Sequence, residues 1–365
     1  MAGRHYAPRI LRVAMDDKTI MTAANPAPPD EPALPAFESC MTAASSIGKS
    51  GIDALGALSD PLKQKCLGLV EILRSSAVRT SLETYRHQDA EAARQQASLM
   101  RDANLANVCL MTAGVASGLV LGVAALPSTS ALAAYVGKIT LALGIITLLL
   151  GAAGTFFGHL VRDQGQIGRW QACRSEAEVA RLAVFNTIAS KAADAGPAVA
   201  LYGLALVVCH LLDDQRTWLS QRALRHRKSA ETTSRWSALA SALAFIGGSG
   251  AIIASQMKGS VWIVLAGVIG AAIAGYSTNR DALRRDRANA DRYEKVQVAL
   301  DGLAGRTDDV ATRISAGEPK ALVAFTDAVS DLLATEHKQW LEGTAQAEAS
   351  LGKLDAQLKQ LSNDK

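Results

Sequence analysis

Aromatic residues are scarce, at 5% of 365 positions, although hydrophobic residues make up 49%. The apolar content therefore comes from Ala, Leu, Val, Ile and Gly, the residues that line helices in lipid. Cysteine is also sparse: Cys40, Cys66, Cys109, Cys173 and Cys209 stand far apart, without a CxxC pair or a His at ligand spacing. That argues against a zinc site and fits unpaired thiols in a reducing compartment. The six histidines form neither HxxxH nor HExxH, and Gly247, Gly248 and Gly250 lie inside an apolar run rather than in a phosphate loop between strand and helix. Hydrolase and kinase chemistry thus have no residues to rest on, and we expect a non-enzyme with no metal and no cofactor. A net charge of +4 is too small to suggest a nucleic-acid partner. The first residues carry arginines but lack the apolar stretch of about 7 to 15 residues that a secretory signal needs.

Four long runs lack Asp, Glu, Lys and Arg: Leu105 to Leu126, Ile139 to Val161, Ser237 to Met257 and Gly259 to Thr278. Each has the roughly 20 apolar residues that a helix needs to cross the hydrocarbon layer. The links within each pair are short, so each pair reads as an antiparallel hairpin. Eighteen Lys and Arg flank the outer ends of these runs, whereas only Lys138 and Lys258 lie on the hairpin loops. Cationic flanks stay on the cytoplasmic side, which places both termini and the long middle segment there. The expected class is an all-α integral membrane protein with four transmembrane helices in two hairpins and long cytoplasmic helices. The lipid bilayer is its first partner. The apolar run Ala198 to Leu212 is too short to span comfortably and would invert the second hairpin, so we read it as not crossing.

The chain also repeats itself. At an offset of 118, VRDQGQIGRWQACRSEAEVARL aligns with NRDALRRDRANADRYEKVQVAL, with seven identities in 22 positions that include Arg174/Arg292. Each copy continues into an apolar helix closing on a tryptophan, Trp218 or Trp340. Duplication follows as the simplest reading. Five prolines between 22 and 36 suggest a disordered lead-in. The boundaries we expect are 1–58 poorly structured, 59–212 a cytoplasmic helix and first membrane unit, 213–345 a second membrane unit, and 346–365 a coiled-coil-like tail. Ser59-Asp60-Pro61 reads as a helix start, with the helix running almost to the first span. In the tail, Leu351, Leu354, Leu358 and Leu361 follow 3-4-3 spacing, either an oligomer seam or a seam against the chain's own helices.

Small residues recur at helical spacing within the spans: Gly114, Gly118 and Gly122; Gly154 and Gly158; Gly267, Ala271 and Gly275. Such faces let helix backbones approach closely in lipid, either within the hairpins or between subunits around an opening. An opening would be lined by small and hydroxyl residues such as Ser117, Thr147, Thr155 and Ser249. His159 is the one residue of the His, Asp, Glu, Lys and Arg types within a run, and Arg162 three residues on marks it as interfacial rather than functional. The basic blocks RALRHRK at 222–228 and RDALRRDR at 280–287 fix topology and touch anionic headgroups, or hold a nucleotide or other anion.

The segments QRTWLSQRALRHRKSAETTSRW, RDALRRDRANADRYEKV and LLATEHKQWLEG, arranged around the second hairpin, resemble the SLATT family of two-transmembrane effector domains associated with SMODS nucleotide synthases and SLOG sensors. Residues 213–345 carry the likeness most clearly and residues 80–212 more weakly. The motif residues are Trp218, Arg222, Arg284, Arg287, Glu336 and Trp340. The resemblance implies an oligomeric pore or membrane-perturbing effector of a bacterial conflict or antiviral defence system, in the inner membrane, triggered by an infection signal. It brings no catalytic residues. No nucleotide synthase, SLOG or TIR domain is recognisable, so the signal would come from a separate sensor protein or a nucleotide second messenger, with residues 37–100 as the contact surface. The competing expectation is a non-conducting membrane scaffold that recruits a cytoplasmic partner.

Overall fold

A computed structural model of the chain describes residues 34–50, 60–124, 135–163, 165–257 and 261–363. No strand occurs among them; they form α1 (Phe37–Ser50), α2 (Asp60–Arg74), α3 (Ser76–Ala124), α4 (Val136–Asp163), α5 (Gln166–Asp194), α6 (Pro197–Val207), a π-helical turn (Val208–Leu212), α7 (Asp213–Met257), α8 (Val261–Arg284), α9 (Asp286–Ala304), α10 (Thr307–Ser315) and α11 (Lys320–Asn363). Three helical stretches are long and apolar enough to cross a membrane: Ser76–Val120, Val136–Leu160 and Pro197–Ile246; a shorter apolar stretch spans Leu265–Ser277.

Contacts divide the chain into two compact units. The first combines residues up to Ala93 with Gln171–Ala223 and Asp291–Gln346. At its centre lies α6 with the π turn. Twelve of the fifteen residues between 198 and 212 are buried, and Leu201, Leu204, Leu206, Leu211 and Leu212 are wholly so. A helix apolar on every face needs enclosure on every face, and here protein provides it: Leu69 of α2, Leu82 of α3, Phe185 and Ile188 of α5, and Leu322 of α11 belong to the same core. Composition alone marks this stretch as able to cross a membrane; its burial makes it the core of a helical bundle. Gly196, at φ 102, turns the chain after α5, and Pro197 opens α6 at a position where its missing N–H costs nothing. A Cβ on Gly203 would sit 2.9 Å from both Ala192 and Leu322, so glycine is what lets α5 and α11 close on α6.

Two expectations need correction. Residues 37–50, placed in a poorly structured region, form α1, with Cys40, Ala43 and Ala44 fully buried. The proline run ends at Pro35, and the small residues that follow let α1 lie close against α6. The helix starting near Asp60 is also not continuous: it breaks at a bend at Ser75, and α3 then runs without interruption into the first apolar run as far as Ala124. The tail from 346 lies in α11, but its leucine side chains fall outside the described residues.

The second unit comprises Arg94–Trp170, Leu224–Ala290 and Ala347–Lys365, and holds the apolar parts of α3, α4, α7 and α8. Its most apolar helix is the least covered: only 6% of the relevant stretch of α4 is buried within the chain, and Leu141, Leu148 and Leu149 are each more than 60% exposed.

Candidate functional site

The densest gathering of charge among the described residues lies inside the first unit, where a continuous core would ordinarily exclude it. On α5, Arg174, Glu178 and Arg181 follow i, i+4 and i+7 spacing and so share one helix face. Arg174 donates to Asp89 of α3 at 2.9 Å and approaches Glu178 at 2.5 Å, while Arg181 lies 2.6 Å from the other Glu178 oxygen. From α9, Arg292 Nε stands 3.1 Å from Glu336 Oε1 of α11, an ionic approach rather than an aligned hydrogen bond. Three cations, Arg174, Arg181 and Arg292, thus face three carboxylates, Asp89, Glu178 and Glu336.

Burial and charge pull the titratable members in opposite directions. Burial alone would raise the Glu178 carboxyl, but Arg181 and Arg174 outweigh it and bring it down to about 2. At Glu336 burial wins: aided by the nearby Glu178 charge, it raises the carboxyl despite Arg292. Burial, with Arg174, Arg181 and Arg292 behind it and Glu178 against it, depresses the His337 imidazole. His337 stacks at 5.5 Å on Trp340.

Four of the six motif residues named from the sequence belong to this region. Arg222 lies over the Trp218 ring at 5.3 Å, Trp218 meets Tyr293 edge-on at 5.6 Å, and Arg292 lies over Tyr293 at 5.1 Å before reaching Glu336. Trp340 joins through His337. Arg287 is exposed on the second unit, and the Arg284 side chain lies outside the described residues. Asp89, Glu178, Arg181 and Tyr293 were not named from the sequence. The repeat identity Arg174/Arg292 was the one available signal, because both arginines prove to be cluster members.

In the second unit each hairpin base carries a buried polar pair at equivalent places. Gly165 (φ 58) and Arg285 (φ 46) break the chain between the hairpin and the following helix, 120 positions apart. The next residue is buried in both copies, Gln166 and Asp286. Gln166 Nε2 donates to Asp102 at 3.5 Å, and His226 Nδ1 lies 2.6 Å from Asp286. Each pair joins the helix entering a hairpin to the helix leaving it. The breaks align at an offset of 120 rather than the 118 of the sequence identities.

The small-residue faces divide into used and open positions. A Cβ on Gly118 would lie 2.8 Å from Val268 Cβ, and one on Gly114 3.3 Å from Ala272, which joins the first hairpin to the second. Gly154 faces Leu110 at 2.8 Å and the Ala106 carbonyl at 3.2 Å, within the first hairpin. On α8 the close approach is made by Gly270, 2.7 Å from the Ala240 carbonyl, a residue outside the stripe read from the sequence. Gly158 and Gly275 have nothing within 4 Å. Ala271 is exposed and Gly267 half-buried, and the Gly122 side-chain position lies outside the described residues. The Thr147 and Thr155 hydroxyls donate to Leu143 and Gly151 carbonyls of their own helix at 2.9 Å; Ser249 is outside the described side chains. His159 is exposed. No group of three metal-ligating side chains occurs among the described residues. No family model, curated protein or solved structure matches this chain.

Proposed function

We propose that the protein is a membrane effector of a bacterial conflict or anti-phage system. Two hairpins cross the inner membrane four times, the first unit lies in the cytoplasm, and a signal received there lets an oligomer open a pore or perturb the bilayer. The observation that carries this reading is α4, whose apolar side chains the chain leaves uncovered. Apolar area in water costs roughly 25 cal/mol per Å², so a helix of this kind requires lipid or other copies of itself around it. The distribution of Lys and Arg supports the orientation, and the sequence resemblance to SLATT domains supports the effector role. The ionic cluster supports a cytoplasmic switch: α3, α5, α7 and α9, which run into or out of the hairpins, each contribute to it or to the ring stack beside it.

A second reading, a non-conducting scaffold, draws support from the glycines. Gly114, Gly118 and Gly154 are occupied by contacts inside one chain, so they are not free to line a contact between subunits. Dye and ion leakage from liposomes bearing the purified chain, with and without cyclic nucleotides, separates the two. The effector reading expects leakage, and expects Gly144→Leu, at a position with open space around it, to reduce leakage without loss of thermal stability. Tight vesicles with correctly inserted protein, under every ligand, would favour the scaffold.

A further inference from the structure

One face of α7 changes character along its length. Positions 225, 228, 232, 235, 239, 242 and 246 follow strict 3-4 spacing, which aligns them on one side of a helix. The residues are Arg225, Lys228, Thr232, Arg235, Leu239, Ala242 and Ile246, and every one is exposed. The first four are cationic or hydroxylic and the last three apolar. Trp236, 55% exposed, stands at the changeover, which is where an amphipathic ring settles at a membrane interface. At 1.5 Å per residue, the cationic half covers about 15 Å and the apolar half about 10 Å.

The two hairpins differ here. In the twenty residues 217–236, Arg222, Arg225, Arg227, Lys228 and Arg235 oppose Glu231 alone, a net charge of +4. In the twenty residues 85–104 before the first apolar run, Arg86, Arg94 and Arg101 are balanced by Asp89, Glu91 and Asp102, a net charge of zero. Orientation by cationic flanks asks only for an excess on one side; it does not ask for three cations in register on one exposed stripe continuous with an apolar one.

We propose that this face of α7 is a docking surface for the anionic phosphodiester headgroups of membrane lipid, such as phosphatidylglycerol. The inference rests on the membrane reading above and adds to it a lipid class and a site. The acyl chains lie along Leu239, Ala242 and Ile246, Arg235 meets the phosphate at the changeover, and Lys228 and Arg225, farther along the stripe, face the anionic headgroup layer. Long cationic side chains reach the headgroup layer while their stems stay on apolar surface. The first hairpin, with no net charge at its entry, has no such preference.

Trp236 is the built-in probe. Its fluorescence in proteoliposomes, taken as wild type minus Trp236→Phe, is read with brominated phosphatidylglycerol and with brominated phosphatidylcholine. We expect a preference of at least about fivefold for the anionic quencher, the ratio that one Lys or Arg confers at an anionic surface. Added salt should weaken it. The triple variant Arg225→Gln, Lys228→Gln, Arg235→Gln should bring the ratio to about one, while Arg94→Gln at the first hairpin leaves it unchanged. Equal quenching by both lipids in the wild type overturns the inference and leaves the membrane reading standing. So does a preference that survives the triple variant, or one that inorganic pyrophosphate abolishes at constant ionic strength, since the surface would then serve a soluble anion. Absence of quenching by either lipid overturns the membrane reading along with it.

Discussion

Arg181 Nη2 lies 2.6 Å from Glu178 Oε2, one turn away on α5, and the arginine is only 5% exposed. The pair shares its carboxylate with Arg174, so Glu178 carries two guanidinium groups, one buried and one half-buried. Glu336, in the same cluster, faces Arg292 and has the opposite tendency. The contrast separates a carboxylate that stabilises as an anion from one whose ionisation the fold resists.

Neutral amides at the two positions should therefore differ in effect. A carboxyl moved from the ordinary 4.5 to about 2 corresponds to about 3 kcal/mol of preference for the ionised form. Glu178→Gln discards that preference and leaves Arg181 and Arg174 short of an acceptor, so we expect a loss on the order of 3 kcal/mol. Glu336→Gln supplies a neutral group where burial already disfavours charge and deprives one guanidinium, Arg292, rather than two of a carboxylate, so it should cost less than Glu178→Gln. Chemical denaturation of the two variants in mild detergent at neutral pH checks the order; a larger loss for Glu336→Gln would refute it.

The same shifts set a pH dependence. Glu178 has a lowered folded-state pKa, so its contribution is present above 4.5 and is lost as pH falls from 4.5 towards about 2. Glu336 acts in the other sense. Its raised pKa means the fold bears the cost of its ionised form at neutral pH and is relieved of it as the pH drops through that raised value towards 4.5. Stability should therefore hold or rise slightly on mild acidification, then fall below pH 4.5. Thermal melts followed by circular dichroism should show this, with Glu178→Gln flattening the acid limb and Glu336→Gln removing the initial rise.

How far the sequence reveals this arrangement varies with the physics involved. Helical class and the apolar runs are legible because they rest on composition and length, which are local. The run of α6 could be read as too short to cross, but not what encloses it: the three-dimensional core decides which helices cover it. The helix α1 was hidden by the proline run before it. The motif residues Trp218, Arg222, Glu336 and Trp340 could be named, and Arg292 stood out in the repeat, but the pairing of Glu336 with Arg292, of Trp218 with Tyr293 and of Trp340 with His337 could not be read, because the network joins helices far apart in the chain. Glycine spacing suggested close packing without telling Gly118, which meets Val268, from Gly158, which meets nothing.

The hairpin bases offer an asymmetric comparison. Asp286 is buried and its contact with His226 is short, at 2.6 Å, whereas Gln166 reaches Asp102 only at the 3.5 Å limit of hydrogen bonding. Removing one partner of a buried polar pair costs about 1 to 3 kcal/mol, more when the pair is charged. Asp286→Ala should accordingly lose about 2 to 3 kcal/mol and Gln166→Ala about 1 kcal/mol. Hydrogen exchange should show the larger opening at the start of α9; equal protection at the starts of α5 and α9 in both variants would contradict the ranking.

Glycine substitutions test whether the second unit closes as described. A methyl group on Gly270 would stand 2.7 Å from the Ala240 carbonyl and 2.6 Å from the Ala244 nitrogen. These are backbone atoms that no rotamer change can move aside. Overfilling a tight contact costs about 1 to 3 kcal/mol, and Gly270→Ala should destabilise by that amount by forcing α7 and α8 apart. Gly118→Ala meets Val268, whose Cβ at 2.8 Å is fixed to the backbone and whose branched side chain is stiff, so its cost should be comparable. Gly275→Ala meets open space and should be neutral within about 0.5 kcal/mol, or slightly stabilising through alanine's better helix propensity. Melting temperatures in one detergent rank the three. If Gly275→Ala proves the most damaging, the contact on that face is made with another molecule, and the open glycines of α8 belong to an assembly.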